Sequence, residues 1–172
     1  MEREQRLYIE KAADIIRESA CASVPLSAKK IAEKIGIKVI EKSGLDKKRN
    51  STLKKTGKYS IEINIQHDEP EYAKRLDIAH KIGHAVLHMG YLSSLALWDK
   101  IPENTECEFS SKDADEQAGY FMRALLMPKS EMEKAAKKYR HGGEPDAAKM
   151  AELFGMSVME VVRREKELGL LD

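Results

Sequence analysis

The chain has 172 residues, 42% hydrophobic and 34% charged, which suits one domain with a buried core and at most a small appendage. No apolar run approaches the roughly eighteen residues that span a membrane, and the opening MEREQRLYIEKAADII has no signal-peptide core. A net charge of +1 gives no global attraction to nucleic acid, and two cysteines, Cys21 and Cys107, are too few for a disulfide framework, so a reducing cytoplasm is the expected location.

In chain order, residues 3–19 carry helical spacing, with Leu7, Ala12, Ile15 and Ile16 on one side. PLSAKKIAEKIG predicts a second helix, capped by Ser27 and stopped by Gly36. IKVI follows as a short strand. The stretch from Lys42 to Lys58 holds seven basic residues and one acid, and is expected to be a solvated loop. GKYSIEINI then alternates, with Tyr59, Ile61, Ile63 and Ile65 to one side and Ser60, Glu62 and Asn64 to the other, as in a half-buried strand.

DEPEYAKRLDIAHKIGHAVLHMG predicts a long helix, with Pro70 in its first turn and Gly90 at its end. Residues 91–109 are expected to hold a loop. From Glu103 to Ala118 there are six acids and one base. SSKDADEQAGYFMRALLMP predicts a helix that starts at Ser110 or Ser111 and is halted by Pro128. Its apolar stripe is Ala118, Phe121, Met122 and Leu125. KSEMEKAAKKYR is a short surface helix. DAAKMAELFG and SVMEVVRREKELG form a final pair joined by a tight Gly-Met-Ser turn.

The chemistry concentrates in IAHKIGHAVLH, where His80, His84 and His88 recur at steps of four. Residues i and i+4 share a helix face, about 6 Å apart, so two imidazoles can reach one ion at about 2.0–2.1 Å. Each turn rises about 5.4 Å. An ion between His80 and His84 is therefore out of reach of His88, which is expected to pack or hydrogen-bond beneath the site. Alone, a pair of this spacing is more often structural than metal-binding. A zinc site also needs a third ligand, often a carboxylate from a following helix, and an open position. Asp115 precedes the apolar stripe by one turn and can point toward the histidines. Glu116 sits about 100° further round, toward solvent.

With those residues in place, the chain resembles the ImmA/IrrE family of zinc-dependent peptidases nearly end to end. Family members show an HExxH helix preceded by a strand of the IxIN kind, here Ile61 to Asn64. A second helix carries E-x-x-A-N-x-F-A-x-x-L-L-M-P, where this chain reads Asp115, Ala118, Gly119, Phe121, Met122 and Leu125-Leu126-Met127-Pro128. IAEKIGI and the ending FGMSVMEVVRREKELGL are also family-like. The resemblance implies an α+β, zincin-like fold with a small sheet, a histidine helix and a helical C-terminal end. It implies a metallopeptidase domain over residues 1–140 and a helical subdomain over 141–172 packed on it. It implies a Zn2+ endopeptidase whose relatives cut a helix-turn-helix repressor, with His80, His84 and Asp115 as metal ligands. Asp115 stands where glutamate is usual and is one methylene shorter, so its helix must approach more closely; Glu116 could substitute if the register slips by one. Gly119 replaces a common asparagine.

One position departs sharply. Lys81 stands where the family has the glutamate that takes a proton from the attacking water and passes it to the leaving amine. An ammonium has no lone pair to accept a proton. To serve as a base at neutral pH its ordinary value near 10.4 would have to fall by about 3.4, on the order of 4.6 kcal/mol. A lost general base typically costs about 10²–10⁴ in rate. The chain thus keeps the site's frame and lacks its proton shuttle. Asp77, four residues earlier on the same face, can pair with Lys81 or act as a displaced base. The competing expectation is a pseudopeptidase that binds a repressor-like partner without cutting it.

The remaining candidates are Cys107 as a soft ligand or inert thiol, Tyr91 and Tyr120 as donors to an oxyanion, and His67 and His141 as surface residues. Arg163 and Arg164 on the last helix could face a DNA groove, but Glu160, Glu165 and Glu167 blunt that face, and direct DNA binding is not expected. An extended protein partner could pair with an edge of the strand before the histidine helix, next to Lys47, Lys48 and Arg49.

Overall fold

The computed structural model describes residues 1–20, 24–45, 50–140 and 143–171. Cys21, Lys47, Lys48, Arg49 and His141 lie outside the described residues. The elements run α1 (Arg3–Ser19), α2 (Ala28–Lys34), β1 (Ile37–Lys42), β2 (Ser51–Gly57), β3 (Ser60–Gln66), α3 (Glu71–Leu87), α4 (Leu95–Trp98), β4 (Thr105–Cys107), α5 (Lys112–Leu126), α6 (Lys129–Lys138), α7 (Ala147–Phe154) and α8 (Val158–Leu168). The fold is α+β, as expected. No described helix is long and apolar enough to cross a membrane.

The sheet has the order β1-β3-β2-β4. β1 runs parallel to β3, while β2 is antiparallel to both β3 and β4. Leu53 pairs with Ile63 across β2 and β3, and with Ile61 and Ile65 they form the buried apolar face beneath α3. Two expectations change here. Tyr59 is in the β2–β3 turn and exposed. Asn64, expected on the open face, is buried, and its Nδ2 donates to Thr52 Oγ1 at 3.2 Å.

The basic stretch is not one loop, because its second half is β2. Lys55 shows how a charged residue enters the sheet. It is buried, and its Nζ donates to the carbonyls of Trp98 and Ile101, each at 2.8 Å. Its charge also lies 4.3 Å from the centre of the Trp98 ring. A cation placed at the C-terminal end of α4 meets carbonyls left without helical donors. That contact ties the 91–109 segment to the sheet, so the expected loop contains α4 and the edge strand β4.

Local signals place the helices well. Ser27 Oγ accepts from Lys30 N, and Ser111 Oγ accepts from Ala114 N. Pro70 is the cap residue of α3 rather than part of its first turn. In α1 the buried face is Ile9, Ala13 and Ile16, while Leu7 and Ile15 are exposed. That face packs on α5, and Glu10, next to Ile9, reaches α8. Arg164 of α8 is fully buried, with its two terminal nitrogens 2.6 and 2.9 Å from the Glu10 carboxylate, and its Nε donates to Met127 O at 3.1 Å. Arg164 is thus a core residue and cannot read a DNA groove. Arg123 of α5 makes a second tie, with Glu167, through its Nε at 2.9 Å.

The helix pair that matters most for the site is α3 on α5. A Cβ added at Gly83 would sit 3.1 Å from the Phe121 ring and 3.2 Å from the backbone of Ala118. At Gly119, by contrast, it would meet only Arg123 Nη1, at 3.5 Å. Alanine favours a helix interior over glycine by about 1 kcal/mol, but overpacking against backbone costs about 1–3 kcal/mol. Gly119→Ala should therefore raise stability by up to about 1 kcal/mol, and Gly83→Ala should lower it by about 1–2 kcal/mol. Denaturant unfolding of both variants checks this, and equal gains would show that α5 moves freely.

Candidate metal centre

His80 and His84 face one another on α3, with their Nε2 atoms 3.1 Å apart. Asp115, in the first turn of α5, brings Oδ1 to 3.2 Å from His80 Nε2. One donor atom from each of the three residues lies within 4.8 Å of the others. Donors at about 2.0–2.1 Å around a tetrahedral ion are separated by about 3.3 Å, so the two measured spacings suit such an ion. Glu116 points elsewhere, 4.0 Å from the N-terminal ammonium. Cys107 is half-buried in β4, its Sγ is 3.9 Å from Thr105 O, and burial pushes its thiol up. It has the character of an inert thiol.

The histidines are held neutral. Burial is the main cause for each, and pulls the His84 imidazole down to about 3, with the neighbouring His80, His88 and Lys81 charges adding to it. His80 is also lowered, by burial first, against the opposing attraction of Asp115. Neutral imidazoles keep a lone pair for a metal. A carboxylate and two neutral imidazoles are a donor set for a zinc-like ion. The residues present fit such a group.

His88 takes the place expected for it, one turn beyond the pair. Its Nδ1 is 3.0 Å from His84 Nδ1, and its Nε2 is 3.2 Å from Gln117 Oε1. Phe109 stacks on His84 with ring centres 4.6 Å apart and planes at 9°. Neither Gln117 nor Phe109 was singled out by sequence. For Phe109 a signal existed: TECEF alternates, and Thr105, Cys107 and Phe109 are half-buried while Glu106 and Glu108 are exposed.

The site opens into a cleft of about 700 Å³. Asp77, His80, Lys81 and Asp115 share its wall with Ser51, Thr52, Met122, Glu160 and the segment from Glu106 to Ser110. Lys81 thus faces the same space as His80. Burial holds the Asp77 carboxyl above the usual carboxylate range, with Lys81 pulling it back. Neither tyrosine is in the cleft wall. Tyr91 donates to Ile35 O at 2.8 Å, and Tyr120 to Glu10 Oε1 at 2.8 Å. His67 is exposed, 3.3 Å from Glu41. β3 is paired on both sides, by β1 and β2, so the strand before the histidine helix has no edge to offer a partner. The edge beside the cleft belongs to β4.

Comparison with known proteins gives a consistent result. The sequence model for the IrrE N-terminal-like domain, a peptidase family, matches residues 32–166. Among solved structures, a Mycobacterium tuberculosis transcriptional regulator shares the fold, with a TM-score of 0.58 and 19% identity. The match covers 95% of this chain and 47% of that one, so the chain spans about half the length of that regulator. No curated protein matches the chain.

The depressed His84 imidazole gives a pH prediction. A group that titrates near 3 when folded and near 6.5 when unfolded contributes stability that is complete above the unfolded value. That contribution is lost as pH falls from about 6.5 toward the folded value. In the metal-free chain, the His84 ring signals should stay constant by NMR between pH 8 and 5, while stability declines below about pH 6.5. A His84 midpoint near 6.5 would contradict the burial account.

Proposed function

The chain belongs to the peptidase family defined by the IrrE N-terminal-like domain, and from that membership we propose a zinc metalloendopeptidase-like protein. It acts on a helix-turn-helix transcriptional repressor, with its hydrolytic step impaired by Lys81. The observation that carries this is the set of three donors within 4.8 Å, two of which, His80 and Asp115, line an open cleft. His80 and His84 would hold the ion through Nε2, and Asp115 through a carboxylate oxygen. A divalent ion bound there supplies Lewis acidity toward a scissile carbonyl and toward water.

Proton transfer falls to the chain's own residues. Lys81 comes directly after His80 and lines the same cleft. Its ammonium can donate a hydrogen bond to a developing oxyanion but cannot accept a proton. Asp77 is the displaced carboxylate that can accept one. Among the described residues, five carboxylates, Asp77, Glu106, Glu108, Asp115 and Glu160, line the cleft together with one ammonium, that of Lys81. Such a surface favours a basic segment, which a DNA-binding repressor carries. We take residues 1–140 as the peptidase-like domain and 141–172 as a helical subdomain, and the Arg164–Glu10 contact supports its packing on that domain. Direct DNA binding is not part of the proposal, and the cytoplasmic setting rests on cysteine usage.

Lys81 also favours a second reading, a pseudopeptidase that holds a repressor-like protein without cutting it. The cleft and the acidic lining serve that role equally well.

Two measurements test these assignments. Asp115→Ala should weaken zinc binding, by calorimetry, beyond the roughly 10–100-fold typical of a lost outer partner, and Glu116→Ala should leave it unchanged. The reverse ranking would move the third ligand to Glu116.

Lys81→Glu should strengthen zinc binding and raise repressor cleavage by roughly 10²-fold or more. Lys81→Gln removes the charge without supplying a base, so it should improve zinc binding alone. If the unaltered chain cleaves as fast as Lys81→Glu, impairment by Lys81 is wrong, and Asp77→Asn then tests whether Asp77 serves as the base.

A further inference from the structure

The histidines of α3 and Gln117 of α5 form one continuous line of polar contacts. Gln117 Oε1 lies 3.2 Å from His88 Nε2, His88 Nδ1 lies 3.0 Å from His84 Nδ1, and His84 Nε2 lies 3.1 Å from His80 Nε2. The hydrogens along it can be assigned from the Gln117 end. An amide oxygen only accepts, so His88 Nε2 carries a hydrogen. A neutral imidazole has one N–H, which leaves His88 Nδ1 as an acceptor. The hydrogen between the two Nδ1 atoms therefore sits on His84. His84 Nε2 is left as a bare lone pair directed at His80.

We propose that Gln117 and His88 are positioning residues that lock His84 in its Nδ1–H tautomer, so that Nε2 is presented as a ligand before any ion arrives. The consequence for metal rests on His84 being a ligand; the tautomer itself rests on the hydrogen bonds alone. Phe109, stacked nearly parallel on the His84 ring, restrains the ring plane that this line requires. Because the line starts on α5 and ends on α3, the tautomer also depends on the packing of those two helices. An outer partner that sets a ligand's orientation is typically worth about 10–100-fold in metal affinity.

The test uses the full ¹⁵N-labelled chain, metal-free, with ring nitrogens read by long-range ¹H–¹⁵N correlation at neutral pH. His84 is expected to show a protonated Nδ1 and an unprotonated Nε2. Gln117→Glu, an acceptor only, should preserve that pattern. Gln117→Lys, a donor only, should reverse the line, placing hydrogens on His88 Nδ1 and His84 Nε2. Zinc(II) affinity by calorimetry should fall about 10–100-fold in Gln117→Lys and recover in Gln117→Glu. Gln117→Leu removes the acceptor without adding charge and should give His84 a mixture of both tautomers. Gln117 is only half-buried, and circular dichroism checks that each variant folds. An Nε2–H tautomer in the unaltered chain, or a His84 pattern unmoved by Gln117→Lys, overturns the proposal. A locked Nδ1–H tautomer in a chain that binds no zinc upholds the lock and defeats the metal reading instead.

Discussion

The candidate site depends on a missing methyl group. Gly83 lies between His80 and His84, on the side of α3 that meets α5, and a Cβ there would press on Ala118 and Phe121 at 3.1–3.2 Å. Without it the two helix backbones approach closely. That proximity is what a short carboxylate needs. The Asp115 side chain is short, and it still brings Oδ1 to 3.2 Å from His80. The same contact sets Gln117 against His88. One packing constraint therefore places a charged group at one end of the histidine row and an amide at the other.

Burial then acts on groups of opposite kinds with opposite results. It keeps the histidines neutral and able to donate electron pairs, and it raises the Asp77 carboxyl toward the range of a proton carrier. Lys81 is the element out of step with this arrangement. Its ammonium lines the cleft, and it lowers the basicity of both neighbouring histidines. The three donors are set by helix packing, whereas Lys81 is one side chain on the cleft wall.

The C-terminal helices serve this frame from behind. Arg164 is enclosed completely and holds Glu10 by two short hydrogen bonds. Burial alone would raise the Glu10 carboxyl, but the Arg164 guanidinium and the Tyr120 hydroxyl outweigh it and hold the carboxyl below its ordinary value. A buried pair of this kind is costly to break, about 3–5 kcal/mol when one partner is removed. It joins α1 to α8, and Arg123 joins α8 to α5. Glu160, 3.5 Å from Arg123, carries that connection into the cleft wall.

Local chemistry made much of this legible in the sequence. The helical spacing of the histidines, the caps at Ser27 and Ser111, the stripe of Ala118, Phe121, Met122 and Leu125, and the stop at Pro128 are short-range features. They survived folding because nothing distant competes with them. Asp115 as partner of His80 followed from the stripe's phase together with the family resemblance. What the sequence alone did not determine depends on contacts far apart in the chain. Lys55 finds its partners 43 and 46 residues away, at Trp98 and Ile101, so a basic run read as loop becomes a strand. Arg164 finds Glu10 across 154 residues, which turns an apparent groove-reading arginine into a core residue. Phe109 over His84, and Gln117 against His88, likewise exist only after β4 and α5 have closed on α3. Periodicity reports which face of an element is apolar. Only tertiary packing decides which polar group is brought to it, because that choice depends on distances the chain acquires when it folds.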